Sequence, residues 1–185
     1  MSHQSEIVDA YLAAAHANAC TVHGPLRKRD APSTVARVLD GTTSLVAVAE
    51  DDPALRGLAI GDALREAGTR VSAPGDDDWD DALRRADAGV TGATVAVAEQ
   101  GVVALACGPH APRATSLLPP RHVCVVFADT VVATFAAAIE QLSAAPLPSA
   151  LTWVGGPSRT GDLEMVQTLG VHGPKTVDIV LVAVG

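Results

Sequence analysis

Hydrophobic positions along this chain follow two periods in turn, and the changes of period mark its elements. Residues 5–19 place Ile7, Val8, Tyr11, Leu12 and Ala15 on one helical face, which predicts an amphipathic helix. A second helix is predicted from Ser33, burying Val35, Val38 and Leu39 and ending at Gly41. Between them, residues 23–32 (HGPLRKRDAP) read as a connecting loop. SLVAVA at 44–49 is continuous enough for a strand covered on both faces. Asp52-Pro53 then opens a helical pattern through Leu64 to Gly68, and a short strand follows at 69–72. The next helix starts among Asp76, Asp77, Asp78, Asp80 and Asp81 and ends at Arg84 and Arg85, matching the helix dipole.

After Gly89 the period shortens. Residues 90–108 (VTGATVAVAEQGVVALACG) hold two apolar runs split by Glu99-Gln100-Gly101, the pattern of antiparallel strands with a tight turn. An irregular loop at 108–120 carries four prolines, a helical piece around 114–118, and the polar side chains of Arg113, Thr115 and Ser116. HVCVVF at 122–127 predicts a strand, and 129–142 a helix through Val132, Phe135, Ala136 and Ile139. The last strand, 176–184, is continuous in Val, Ile and Leu, with Asp178 read as marking its entry. Alternating strands and helices predict one α/β domain over 1–185, with 1–42 as an N-terminal helical segment packed on it. Its sheet should be mostly parallel and Rossmann-like, with an antiparallel hairpin inserted.

The stretch at 151–174 (LTWVGGPSRTGDLEMVQTLGVHGP) carries the main candidate chemistry. It reads as a buried strand at 151–154, a turn at Gly155-Gly156-Pro157, and a helix from Gly161 with Leu163, Val166, Gln167 and Leu169 on one face. Free N–H groups with Ser158, Arg159 and Thr160 would then meet at a helix N-terminus, the composition of an anion site beyond the carboxyl end of a strand. The alternative is a capped turn with a surface arginine. Asp162 and Leu163 stand where a P-loop needs Lys and Ser/Thr, which excludes a nucleotide P-loop. Thr160 stands where a nucleophile elbow needs its second Gly. His172 either reaches the same pocket or ends a turn. Glu99, at the hairpin turn, is either a solvated turn residue or a base or nucleophile aimed into a pocket.

Composition narrows the classes. A net charge of −8 opposes a nucleic-acid partner, although Arg27, Lys28 and Arg29 sit together as a solvated cluster or an anion-guiding lip. No apolar run reaches bilayer length and the first residues lack a signal-peptide pattern, so a cytoplasmic protein without membrane insertion is expected. The three cysteines, Cys20, Cys107 and Cys124, are isolated, and the six histidines show no ligand spacing, so no metal site is expected.

Three segments in order, 90–105, 114–126 and 156–182, resemble the LUD-domain family, the lactate-utilisation proteins of the LutC type. The resemblance covers about the last hundred residues. It implies a NagB/RpiA/CoA-transferase-like α/β fold and a part in oxidising L-lactate to pyruvate beside partner subunits that carry iron–sulfur clusters, with no cofactor on this chain. The leading reading is an accessory subunit rather than a redox enzyme by itself, with Gly156, Ser158, Arg159, Thr160, His172 and Arg113, as read from the residues, around a small anionic ligand. Alternatives from the residues are a stand-alone enzyme on an anionic metabolite of the acyl-CoA or sugar-phosphate kind using Glu99, a non-catalytic ligand-binding protein, and a homo-oligomer. Gln100 and Gly161 depart from the family pattern, which commonly has Thr and Ala there.

Overall fold

The computed structural model describes residues 3–41, 45–144, 146, 148–161, 167–169 and 173–184, with backbone alone at 160–161 and 167–169. Its centre is a six-stranded, wholly parallel sheet in the order β1-β12-β7-β4-β2-β3. These strands are β1 (Thr21–Arg27), β12 (Thr176–Ala183), β7 (Arg121–Phe127), β4 (Ala88–Gly92), β2 (Leu45–Val48) and β3 (Arg70–Ser72). Burial on both faces explains the near-continuous Val, Ile and Leu of β2, β7 and β12. One face packs Val46, Val48, Val90, Val123, Val125, Val180 and Val182 against helices α2 (Ala31–Leu39) and α3 (Ile60–Glu66), through Val35, Leu39, Ile60 and Leu64. Helix α4 (Trp79–Arg85) covers β2 from the other face through Ala82 and Leu83.

The other face also receives helix α1 (His3–Ala17), whose Val8, Tyr11 and Ala15 are buried at the predicted period. Beside α1 lies a second sheet, order β8-β5-β6-β9. It is built from β5 (Val95–Val97), β6 (Val102–Cys107), β8 (Val131–Val132) and β9 (Ala150–Val154), and its outer face carries helix α5 (Phe135–Ser143). The predicted hairpin is therefore β5–β6, paired antiparallel through Val95↔Ala104. It forms half of a separate layer rather than an insertion in the main sheet.

Four local expectations are corrected. Residues 21–27 are strand β1, paired in parallel with β12, so the N-terminal segment contributes to the central sheet. Residues 150–154 do not join the parallel sheet: β9 pairs antiparallel with β6 at the edge of the second sheet and is only half-buried. The helix from Gly161 is replaced at its described positions by an antiparallel pair, β10 (Arg159–Gly161) with β11 (Gln167–Leu169). Asp178 does not mark an entry at the surface but is 2% exposed inside β12.

Candidate functional site

Strand directions locate the most favourable crevice. From β2 the chain continues to β3 on one side, and from β4 it continues through the second sheet towards β7 on the other. The carboxyl ends of β2 and β4 therefore flank the point where the winding reverses, the place where parallel α/β sheets leave room for a ligand. A cavity of about 300 Å³ lies there, between the loop after β2 (Asp52, Pro53, Ala54, Arg56), the loop after β4 (Ala93, Thr94), Ala106 of β6 and Thr130 after β7.

Asp52 builds the floor. Its Oδ1 accepts the Ala54 N–H at 2.9 Å, capping a short 3₁₀ turn, Pro53–Leu55, and its Oδ2 accepts the Gly92 N–H at 3.0 Å from across the crevice. Burial pushes this carboxyl above its ordinary value, against the lowering effect of the two N–H bonds. Gly92 is required by the close approach: a Cβ there would lie 2.5 Å from the Ala54 carbonyl carbon.

Arg56 supplies the charge. It adopts a left-handed backbone conformation, φ 51°, unusual outside Gly and the small polar residues. Its guanidinium lies 4.3 Å from the centroid of the Phe127 ring, and Nη1 is 2.8 Å from Asp129 Oδ2. Phe127 ends β7, and β4 lies between β7 and β2, so this side chain bridges across the end of β4. Thr94 Oγ1 accepts the Ala106 N–H at 3.0 Å, which leaves its own proton for a ligand. Thr130 Oγ1 donates to the Phe127 carbonyl at 2.8 Å and keeps lone pairs to accept. One cation, a hydroxyl donor, a hydroxyl acceptor and a buried carboxyl thus line one cavity.

The residues singled out from sequence fall elsewhere. Ser158 N–H donates to the Pro174 carbonyl at 2.8 Å, just before β12, and Lys175 N–H donates to the Pro120 carbonyl at 2.7 Å, just before β7. The GPSRT loop thus lies at the amino ends of the parallel strands, because β9 belongs to the second sheet. A cleft of about 200 Å³ there is lined by Gly155, Gly156, Ser158, Ser116, Thr152 and Gly173, among others. Gly156, φ 131°, has no room for a Cβ against the Asn18 carbonyl. Arg159 is exposed and lines none of that cleft, and Arg113 is exposed on a 3₁₀ turn whose carbonyl accepts the Ser116 hydroxyl at 2.9 Å. Thr160 pairs with Thr168 in β10–β11. His172 and Asp162 lie outside the described residues.

Glu99 sits exposed at the β5–β6 turn. Its Oε1 accepts the Phe135 N–H at 2.8 Å and Gln100 Nε2 at 2.7 Å, and these bonds hold its carboxyl below the ordinary value. That is a carboxylate anchoring the first residue of α5, and a weak base.

Sequence reading missed Arg56, Thr94 and Thr130. Asp52 was legible as a cap, but its bond to Gly92 was not, because forty residues separate the partners. Among the described residues no three His, Cys, Asp or Glu side chains gather as a metal site, and none of the helices is long and apolar enough to cross a membrane. Cys20, Cys107 and Cys124 are buried free thiols, and desolvation pushes those of Cys20 and Cys124 up to about 11 and about 12. These residues do not fit an iron–sulfur cluster.

Fold and crevice together define an α/β protein of the doubly wound kind with a polar-lined cavity at its switch point. The LUD domain model matches residues 8–182, and the chain belongs to the LUD-domain family. It is similar to lactate utilization protein C of Deinococcus radiodurans, 40% identical over 102 residues, which cover 54% of this chain and 48% of that protein. Lactate utilization protein C of Macrococcus caseolyticus is 34% identical over 109 residues, 52% of this chain and 47% of that protein. The chain spans about half the length of the curated relatives it matches. A solved structure of a DUF162 family protein from Deinococcus radiodurans superposes with a TM-score of 0.73 at 26% identity, covering 98% of this chain and 99% of that one.

Proposed function

We propose that this chain is the substrate-holding, non-redox component of a system that oxidises L-lactate to pyruvate, and that the switch-point crevice binds the 2-hydroxy carboxylate. The observation that carries this reading is Arg56, held over Phe127 with Thr94 and Thr130 facing the same cavity. A carboxylate takes charge-assisted bonds from the guanidinium, of which Asp129 occupies one terminal nitrogen out of five N–H donors. The 2-hydroxyl can donate to Thr130 while the Thr94 hydroxyl donates to the carboxylate. The names of the relatives support lactate as the substrate.

Oxidation of L-lactate to pyruvate releases two electrons and two protons. The reading places those electrons on iron–sulfur clusters of partner subunits rather than on the three free, buried cysteines of this chain. Calorimetric titration with L-lactate and pyruvate tests the crevice. Saturable binding is expected, weakened about 10-fold or more in Arg56→Gln, since a hydrogen bond to a charged group contributes about 1.5–3 kcal/mol. No binding, or equal binding by the variant, refutes the crevice assignment. The partner assignment is tested by pull-down from the native host with iron analysis: iron-bearing chains should co-purify, and the isolated chain should oxidise no lactate.

A second anion reading attaches to the GPSRT loop, because Ser158, Ser116 and Thr152 bring three hydroxyl-bearing side chains to its cleft. Among the described residues its donors are uncharged, and Ser158→Ala separates it from the crevice reading: lactate affinity should stay unchanged. A stand-alone enzyme using Glu99 is disfavoured by its exposed carboxylate, whose Oε1 takes two bonds that hold the group below its ordinary value.

A further inference from the structure

The carboxyl edge carries a second feature, two strands away from the crevice. Beyond the ends of β1 and β12 lies a cavity of about 280 Å³ lined by Arg27, Lys28, Arg29 and Ala183. Three adjacent cations share it on a chain whose net charge is −8. Their neutralisation is incomplete. Among the described residues Asp30 alone faces the two guanidiniums, 2.7 Å from Arg27 Nε and 3.8 Å from Arg29 Nε. Lys28 Nζ donates instead to the uncharged carbonyl of Arg56 at 3.1 Å. Among the described residues the local balance is therefore about two positive charges, and the fourth lining residue, Ala183, carries none.

Both arginine side chains are about seven-tenths exposed, 69% and 73%, so each can turn towards an incoming group without leaving a buried site. Guanidinium forks match the oxygen spacing of phosphate and hold it through two parallel bonds. A monocarboxylate brings one charge and leaves this cluster half-satisfied; a phosphate or diphosphate brings two or more. The strongly acidic remainder of the surface repels an extended polyanion such as nucleic acid. A cavity bounded by three consecutive residues suits a small ligand.

We propose that this cleft is a binding site for the phosphate group of a small phosphorylated metabolite or cofactor, separate from the carboxylate crevice. Inorganic pyrophosphate is the probe. The full-length chain, labelled with nitrogen-15, is titrated with pyrophosphate at low ionic strength and followed by amide chemical shifts. Parallel titrations use Arg27→Gln/Arg29→Gln, Arg29→Gln and Arg56→Gln. Lys28 is left in place because it also holds the Arg56 carbonyl.

Saturable shifts are expected at residues 27–30 and 183, with affinity at least 10-fold weaker in the double variant and several-fold weaker in Arg29→Gln. Arg56→Gln should bind pyrophosphate within twofold of the parent while losing L-lactate. Citrate, a carboxylate of comparable charge, should bind at least 5-fold more weakly than pyrophosphate. The proposal is overturned by absence of saturation, by equal affinity in the double variant, by citrate matching pyrophosphate, or by loss of pyrophosphate binding on Arg56→Gln alone. The arginines are surface residues, and an unchanged thermal midpoint verifies that each variant is folded. Failure of lactate binding leaves this result untouched, since different side chains carry it.

Discussion

The two ends of the central sheet use the same residue types to opposite ends. At the amino end, Asp178 is 3% exposed in its side chain and lies 2.8 Å from both His23 Nε2 and Arg121 Nε. Beside it His122 is fully buried, 2.9 Å from the Thr91 hydroxyl. These charges and dipoles are spent on one another. At the carboxyl end, Arg56 and Asp129 meet at the same 2.8 Å, but their side chains are 37% and 44% exposed and border an open cavity. Distance does not separate the structural ion pair from the one proposed to be functional. Solvent access does, because a half-exposed guanidinium can exchange its partner for a ligand at small cost.

The contrast is broken most forcefully at Asp178. Asp178→Asn removes the only described carboxylate between two half-buried bases and should lower unfolding stability by about 3–5 kcal/mol in urea titrations, the usual cost of splitting a buried pair. The matching change at the other end, Asp129→Asn, should shift stability by less than about 1 kcal/mol. It should raise L-lactate affinity several-fold, because a competing carboxylate leaves Arg56. Equal destabilisation by both variants would erase the distinction between the two ends.

His122 gives the next largest effect. His122 Nε2 lies 2.9 Å from the Thr91 hydroxyl, and Nδ1 has no partner among the described residues. Desolvation lowers this imidazole from 6.5 to about 4. The unfolded chain therefore takes up a proton first as pH falls. Stability from this group is complete above about 6.5 and declines through the window down to about 4, by about 3 kcal/mol at roughly 1.4 kcal/mol per pKa unit. Denaturation midpoints between pH 7 and 4 should show this slope, and His122→Gln should flatten it. Gly92→Ala comes third. The added methyl would lie 2.6 Å from the Ala54 Cβ and 2.8 Å from the Leu55 nitrogen, which costs about 1–3 kcal/mol. The same variant should weaken L-lactate binding, since it parts the loops that Asp52 ties.

Much of the frame was legible in the residues. The apolar runs of β2, β7 and β12, the face of α1 and the β5–β6 turn at Glu99-Gln100-Gly101 follow from period and turn chemistry alone. The misreadings have identifiable causes. Gly24 and Pro25 interrupt β1 and mimic a loop, yet β1 is an edge strand, where a proline breaks no ladder, and its register with β12 shifts between His23 and Leu26. Leu151, Trp153 and Val154 have the composition of a buried strand, but composition carries no information about which sheet a strand joins. That single ambiguity moved the GPSRT loop from the carboxyl to the amino end. Arg56 had no local signal, because its role depends on Phe127 and Asp129, some seventy residues on.

The smallest expected effect bears on the oldest alternative. Glu99 lies at the second sheet, between the β5–β6 turn and the start of α5, and a shallow cavity beside it is walled by α1 residues including Ile7 and Ala10. A catalytic base should be poised near its working pH, whereas bonds from the Phe135 N–H and the Gln100 amide to Oε1 hold this carboxyl below its ordinary value. Glu99→Gln preserves an oxygen to accept the Phe135 N–H, so helix α5 should keep its first turn. The thermal midpoint should fall by no more than a degree or two, and L-lactate affinity should stay within twofold. Lactate oxidation by an assembly reconstituted with the proposed iron-bearing partners should be unchanged. Loss of turnover with folding and binding intact would transfer the chemistry from the carboxyl edge of the parallel sheet to this turn.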